Sequence, residues 1–394
     1  MRIGIVLLSL GIGGTEKRLA TLFRFLSRQS RHRYYLVAPD RLLRRLKDQG
    51  ILTDSGLELH RVDCGRLQPV LERMPATFYS AFPAWRQGLD RALLEADTVA
   101  KTDVFHYGIP ISYFVASARF RRASVIEAMA STLERHIEWM LRAAARRGTV
   151  VNCLSAPIFH SLERRLGTSA AEHLRLSPGS LIDFTDMPVP RKKLRQVAFV
   201  GRMESIKNPL LFVDAIARLA DRTSEFQAVM LGEGRLSAAV NRRILQLGLG
   251  NLIDRSFHNT PRQVLADSQV FVSLQSTDNY PSQALLEAMA CGCATVASDV
   301  GTTRRLVTPD TGVLVPLDPD AIADAIFRLL SMPALAAEMG AAARELVRQD
   351  HSVGRYAQYI EDLYQVSVGA TPHAVSDRAP DYSARETSQH VGDR

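Results

Sequence analysis

The chain has 394 residues, 46% of them hydrophobic and 23% charged, which is too long for one ordinary core and suits two domains of roughly 150–200 residues each. Its net charge of +8 and pI near 9.5 favour an anionic partner. No apolar run reaches the roughly eighteen residues of a membrane span, and residues 1–14 read as a first strand, not as a signal peptide.

In chain order, the first half alternates buried apolar runs with amphipathic ones. Residues 3–8 predict a strand, Gly11-Ile12-Gly13-Gly14 a loop, and Thr15-Glu16 the opening of a helix with Leu19, Leu22, Phe23 and Leu26 on one stripe. Further strands are expected at residues 34–38, 57–62, 104–107, 123–127 and 150–154, with a long helix at 132–147. Strands alternating with helices call for a mostly parallel sheet with right-handed crossovers. Between Lys17 and Lys47 lie ten basic residues (Lys17, Arg18, Arg24, Arg28, Arg31, Arg33, Arg41, Arg44, Arg45, Lys47) and one acid, Asp40. No helix-turn-helix, zinc-finger or RNP-type pattern accompanies them, so an anionic membrane surface, and not nucleic acid, is the expected partner.

Residues 183–193, with two prolines, two acids and a basic triplet, predict a linker, and the alternation then restarts. Strands are expected at 197–201, 226–231, 270–274, 294–298 and 312–316. Asn208-Pro209 predicts a capped helix start, and helices follow at 238–247, 320–331, 334–348 and 351–366. Residues 1–185 and 186–350 are the expected domains, residues 351–366 a last helix, and residues 367–394, almost without apolar periodicity, a disordered tail.

Four cysteines, Cys64, Cys153, Cys291 and Cys293, fit a reducing, cytoplasmic setting, and Cys291-Gly-Cys293 reads as small residues packed at a corner. Gly11-x-Gly13-Gly14 is an incomplete dinucleotide fingerprint and argues against a nicotinamide cofactor. Asp318-Pro319-Asp320 looks like a metal-binding D-x-D, but it opens a helix, so capping is the reading and no metal is implied. Arg202 and Lys207, at the carboxyl end of a strand, offer a guanidinium and an ammonium to a diphosphate. His106 ends another strand. Residues 276–301, STDNYPSQALLEAMACGCATVASDVG, place Asp278 and Glu287 on either side of a helix start at Pro281-Ser282. A helix N-terminus suits phosphate, and a carboxylate one turn inside suits vicinal hydroxyls.

Together GGTEKR, FVGRMESIKNP, VMLGEGRL, DNYPSQALLEAMACGCATVASDVG and TGVLVP resemble glycosyltransferase family 4, in register over residues 1–366. The resemblance implies a retaining enzyme on the GT-B fold, an α/β architecture of two Rossmann-like parallel-sheet domains facing a central cleft. It implies that Arg202 and Lys207 hold the donor diphosphate and that Glu287 holds the ribose. Asn279, Tyr280, Pro281, Ser282 and Gln283 would contact the transferred sugar, with Leu286, Gly201 and Gly234 completing the donor site. Gly13 and Gly14 would lie near the phosphates, His106 would contact the sugar, and the last helix would cross back onto the first domain. The family's first glutamate of a pair is absent; Asn279 stands eight positions before Glu287, and Asp278 becomes the stand-in. Arg304 and Arg305 replace the usual acid after the glycine loop. The function implied is metal-independent hexosyl transfer from a nucleotide diphosphate sugar to a saccharide or lipid-linked acceptor in cell-surface polysaccharide or lipopolysaccharide synthesis. The protein would be cytoplasmic and peripheral on the inner membrane. A non-catalytic GT-B partner protein and a sugar-nucleotide epimerase are the rival readings.

Overall fold

Apolar runs without polar alternation can only be buried on both faces, and they become parallel strands. The computed structural model describes residues 1–9, 14–53, 55–62, 88, 91, 101–117, 122–128, 135–188, 192–255, 261–278 and 282–369. Gly13, Asn279, Tyr280, Pro281 and most of the tail lie outside the described residues. In the first half, β1 (Arg2–Val6), β2 (Arg33–Pro39), β3 (Glu58–Val62), β4 (Val104–Tyr107), β5 (Ala123–Ala128), β6 (Val150–Cys153) and β7 (Leu174–Leu176) form one sheet. Its order is β3-β2-β1-β4-β5-β6-β7, parallel throughout. Strand order reverses direction between β1 and β4, which makes that gap the topological switch point.

The second half repeats the plan. β8 (Leu194–Val200), β9 (Gln227–Leu231), β10 (Ile253–Asp254), β11 (Ser268–Ser273), β12 (Ala294–Ser298) and β13 (Gly312–Val315) pair in the order β10-β9-β8-β11-β12-β13, again parallel. Here the switch point lies between β8 and β11. The helices Pro209–Ala220 and Pro319–Ser331 pack Phe212, Val213, Ile216, Ile322, Ile326 and Leu329 on one sheet face, all fully buried. The helix Gln283–Ala290 covers the other face with Leu285, Leu286 and Met289. β7 and β10, three and two residues long, are the strands that the pattern did not predict.

The chain divides into two compact units, Met1–Pro178 with Gly354 onward, and Gly179–Val353. The stretch at 183–187 is built into the second unit and is no loose linker. Asp183 is buried, and its carboxylate accepts hydrogen bonds from the Thr185 amide at 3.0 Å and hydroxyl at 2.6 Å. Ile182 N–H donates to the His351 carbonyl at 2.7 Å, and Val353 N–H to the Ile182 carbonyl at 2.9 Å. The helix Val353–Ser367 packs with the first unit, where Tyr356, Ile360, Leu363 and Tyr364 are buried. Cys291 and Cys293 pack at the corner as expected; burial pushes their thiols up to about 12 and about 11. Asp318 caps its helix, accepting from Ala321 N–H at 2.8 Å.

Candidate functional site

In the second unit, the loops that follow β8, β9, β11 and β12 all emerge at the carboxyl edge of the sheet, and hydrogen bonds stitch them to one another. Ser276 N–H donates to the Ile206 carbonyl at 3.0 Å, and Asn208 Nδ2 to the Leu274 carbonyl at 3.2 Å. Asn208 is therefore not a side-chain cap. It takes a left-handed conformation (φ 48°) and ties the Lys207 turn across the switch point to the loop after β11. Gln275 N–H donates to Ser298 Oγ at 2.8 Å, joining that loop to the end of β12.

Lys207 closes the turn Ser205–Lys207 five residues beyond Arg202, which is exposed. Lys207 is half-buried, and desolvation, then the nearby Arg202 charge, lower its ammonium to about 8. An ammonium with a lowered pKa beside a second, open cation at a switch point has the chemistry to accept an anion. Gly201 has open space where a Cβ would stand, leaving its backbone accessible. Gly234 differs: a Cβ there would lie 2.5 Å from the Met203 carbonyl oxygen, and one at Gly232 would run into that of Gly201. These two glycines let the loop after β9 pack backbone to backbone against residues 201–203, where Met203 N–H donates to the Glu233 carbonyl at 3.1 Å. Gly234→Ala is expected to lower second-unit stability by about 2 kcal/mol or more, because neither clashing partner is a movable side chain. Gly14→Ala is expected to leave the melting temperature unchanged, since space is open there. Calorimetry on both variants checks the contrast.

Glu287 lies on the helix Gln283–Ala290 with its side chain largely buried, accepting from Gln283 Nε2 at 3.3 Å and 3.9 Å from an Arg262 nitrogen. Gln283 itself is engaged. Its carbonyl oxygen accepts from Ser180 Oγ at 2.5 Å, and its amide nitrogen also reaches the Leu181 carbonyl at 3.4 Å. The side chain thus braces the helix start against residues 180–181, and what this position can still offer a ligand is a first-turn backbone N–H. Ser282 precedes the helix without a side-chain cap bond, and Leu286 is wholly buried, so the Leu286 side chain is core and not ligand contact. Asp278 reaches the glycine loop: Oδ1 accepts from Thr302 N–H at 3.3 Å and from Thr302 Oγ1 at 3.0 Å, and Oδ2 from Oγ1 at 3.1 Å. The left-handed Gly301 (φ 52°) packs directly on that carboxylate. Arg304 pairs with Asp299 at 2.9 Å on the exposed rim. Thr302, Arg262 and Ser180 were absent from the sequence reading, because each acts through a partner 24 to 103 residues away.

In the first unit the structure corrects His106. It lies within β4, fully buried, and not open at the strand end. The Glu127 carboxylate can only accept, so His106 Nε2 carries the proton donated to it at 2.9 Å; Nδ1 meets the Tyr364 hydroxyl at 2.8 Å. Neither nitrogen is left for a sugar. Arg18 also leaves the basic face: it is buried, with one guanidinium nitrogen 2.6 Å from Glu127 and another 2.5 Å from the Tyr356 hydroxyl. Asn152 donates to both Glu127 and Tyr356, at 3.1 and 3.2 Å, and accepts from Tyr359 at 2.7 Å. Burial alone pushes the Glu127 carboxyl up; the Arg18 charge and the His106 hydrogen bond outweigh it and hold it at about 2. Arg24 is buried too, whereas Lys17, Arg28, Arg31, Arg33, Arg44, Arg45 and Lys47 remain exposed. Gly14 opens its helix, exposed.

Residues 185–346 match the family described as glycosyl transferases group 1. A mycobacterial relative, the GDP-mannose-dependent alpha-(1-6)-phosphatidylinositol dimannoside mannosyltransferase of Mycobacterium tuberculosis, is 29% identical over 34% of this chain, and the match spans only 35% of that protein. Two solved structures share the fold nearly end to end. A glycosyltransferase from Rickettsia africae superposes with TM-score 0.72 at 15% identity, covering 94% of this chain and 99% of that one. The Anabaena HepE protein in complex with UDP and glucose does so with TM-score 0.68 at 18% identity, covering 92% and 98%. The chain has the GT-B fold of two Rossmann-like domains, and its residues 185–346 are similar to the group 1 glycosyl transferases.

Proposed function

We propose that the protein is a retaining hexosyltransferase of glycosyltransferase family 4 that uses a nucleotide diphosphate sugar and needs no metal ion. The observation that carries this reading is the Arg202–Lys207 pair at the second unit's switch point, its ammonium lowered to about 8 by desolvation and by its neighbour. Such a pair neutralises a departing diphosphate without a cation of its own. The helix Gln283–Ala290 adds its N-terminal amides, and Glu287, held by Gln283 and Arg262, accepts from the ribose hydroxyls. The bond from the anomeric carbon to the diphosphate breaks, and the acceptor oxygen bonds on the same face. The relative named for a GDP-mannose donor and a phosphatidylinositol dimannoside acceptor, and the neighbour holding UDP and glucose, support a nucleotide-sugar donor and a saccharide or lipid-linked acceptor. Cell-surface polysaccharide or lipopolysaccharide synthesis is the setting we propose. The exposed cations among residues 17–47 support peripheral contact with an anionic membrane from the cytoplasmic side, and we propose no nucleic-acid partner.

Thermal stabilisation by a panel of nucleotide sugars tests the donor. A true donor at a hundred times its Kd stabilises by about 2.7 kcal/mol, on the order of 5–10 °C for a domain of this size. The pH dependence is specific. In the free site Lys207 loses its proton above about 8, whereas a bound diphosphate favours the charged form. Binding therefore takes up a proton there, and affinity falls as pH rises past about 8. Lys207→Arg should keep its affinity through that range. A panel without any stabilising nucleotide, or binding flat from pH 7 to 10, would sink the reading.

A further inference from the structure

The helix Arg135–Ala145, which follows β5 in the first unit, has an outward face that the donor chemistry does not use. Its inward residues Glu138, Leu141, Ala144 and Ala145 are buried. Outward stand Arg135, His136, Trp139 and, just past the helix end, Arg146 and Arg147, all exposed. Trp139 is 62% exposed, an unusual position for the largest apolar side chain. The ring is nevertheless held in place, stacked on Phe114 with centroids 5.9 Å apart and planes 28° apart, and the Arg147 guanidinium lies 6.0 Å over the same Phe114 ring. The one acid of the helix, Glu138, is turned in and paired with Arg165 at 2.9 Å and Arg142 at 3.7 Å. The outward face of the helix is thus a fixed aromatic shelf that carries cations and no acid of its own.

We propose that this face is a binding surface for an anionic saccharide chain, separate from the donor site. A pyranose ring presents a flat C–H face that packs on an indole, and arginines supply forked donors to carboxylate or sulfate groups along the chain. Topology separates this surface from the other basic one. Strand order runs outward from the switch point in opposite directions, so right-handed crossovers place the helix after β5 on the opposite sheet face from Gly14–Gln29 and Asp40–Asp48. A flat bilayer meeting those two helices cannot also meet Trp139. A flexible glycan needs no such plane. The choice of a saccharide over other polyanions rests on the glycosyltransferase reading.

The test uses the full chain with hyaluronan and heparin decasaccharides, maltodecaose as the neutral control, and vesicles of phosphatidylglycerol with phosphatidylcholine. Titration is followed by tryptophan emission and calorimetry. One or both anionic decasaccharides should bind, with maltodecaose at least tenfold weaker. Trp139→Ala should weaken binding roughly tenfold and Trp139→Phe much less. Arg135→Ala/Arg146→Ala should weaken it roughly tenfold or more and flatten its salt dependence. Thermal stabilisation by nucleotide sugars should be the same in Trp139→Ala as in the native chain, so that failure of the donor reading shows separately. Equal binding of anionic glycans by native and Trp139→Ala proteins overturns the proposal. So does loss of vesicle binding, and not of glycan binding, on Trp139→Ala.

Discussion

Glu127→Gln is expected to destabilise the first unit by about 3–5 kcal/mol, the usual result of removing one partner of a buried ion pair. Arg18 would keep its charge with almost no exposure to water, and a hydroxyl such as that of Tyr356 brings no opposite charge to replace the carboxylate. For a unit of this size the loss corresponds to a fall of on the order of 10 °C in melting temperature, read by calorimetry. Arg18→Met in the Glu127→Gln background removes the stranded charge, while the introduced amide oxygen still accepts from His106 and Asn152. The double variant should therefore recover much of the loss. Glu127 is held at about 2 in the folded chain against an ordinary 4.5, so its contribution is complete above about 4.5 and is lost as pH falls toward 2. In Glu127→Gln that acid dependence should disappear. A single variant with native stability would show that the pair contributes nothing.

The second large effect belongs to chemistry. Arg202→Ala should lower kcat/KM for transfer about 10²–10³-fold, the loss seen when one group that stabilises a developing anion is removed. Arg202→Lys should recover only part, because an ammonium cannot span two phosphate oxygens as a planar fork does. Loss of Arg202 also removes one cause of the lowered Lys207 pKa, so the pH at which donor affinity declines should move up. Full transfer activity in Arg202→Ala would remove the pair from the mechanism.

The strands around both switch points were legible because a parallel sheet buried on both faces leaves an unbroken apolar record, as at residues 5–8 and 270–272. β10 left none, being two residues long. The residues proposed for the donor were readable where local chain geometry carries them: Arg202 and Lys207 just past a strand, Glu287 one turn into a helix. Long-range partners were not. Nothing near Asp278 marks Thr302, and nothing near Gln283 marks Ser180, so one carboxylate and one amide read as ligand contacts are bonded within the protein. Arg18 counted as surface charge for the same reason; its carboxylate stands 109 residues away. His106 showed a histidine near a strand end, and only the returning helix, 258 residues on, shows what its ring meets.

That returning helix makes the second unit an insertion in the first. Arg18, His106, Glu127 and Asn152 leave the ribosome early, but their partners Tyr356, Tyr359 and Tyr364 come after the whole of the second unit. The unit that begins first is therefore finished last. During synthesis its buried charges wait, incompletely partnered, while the second unit already has every residue it needs to fold.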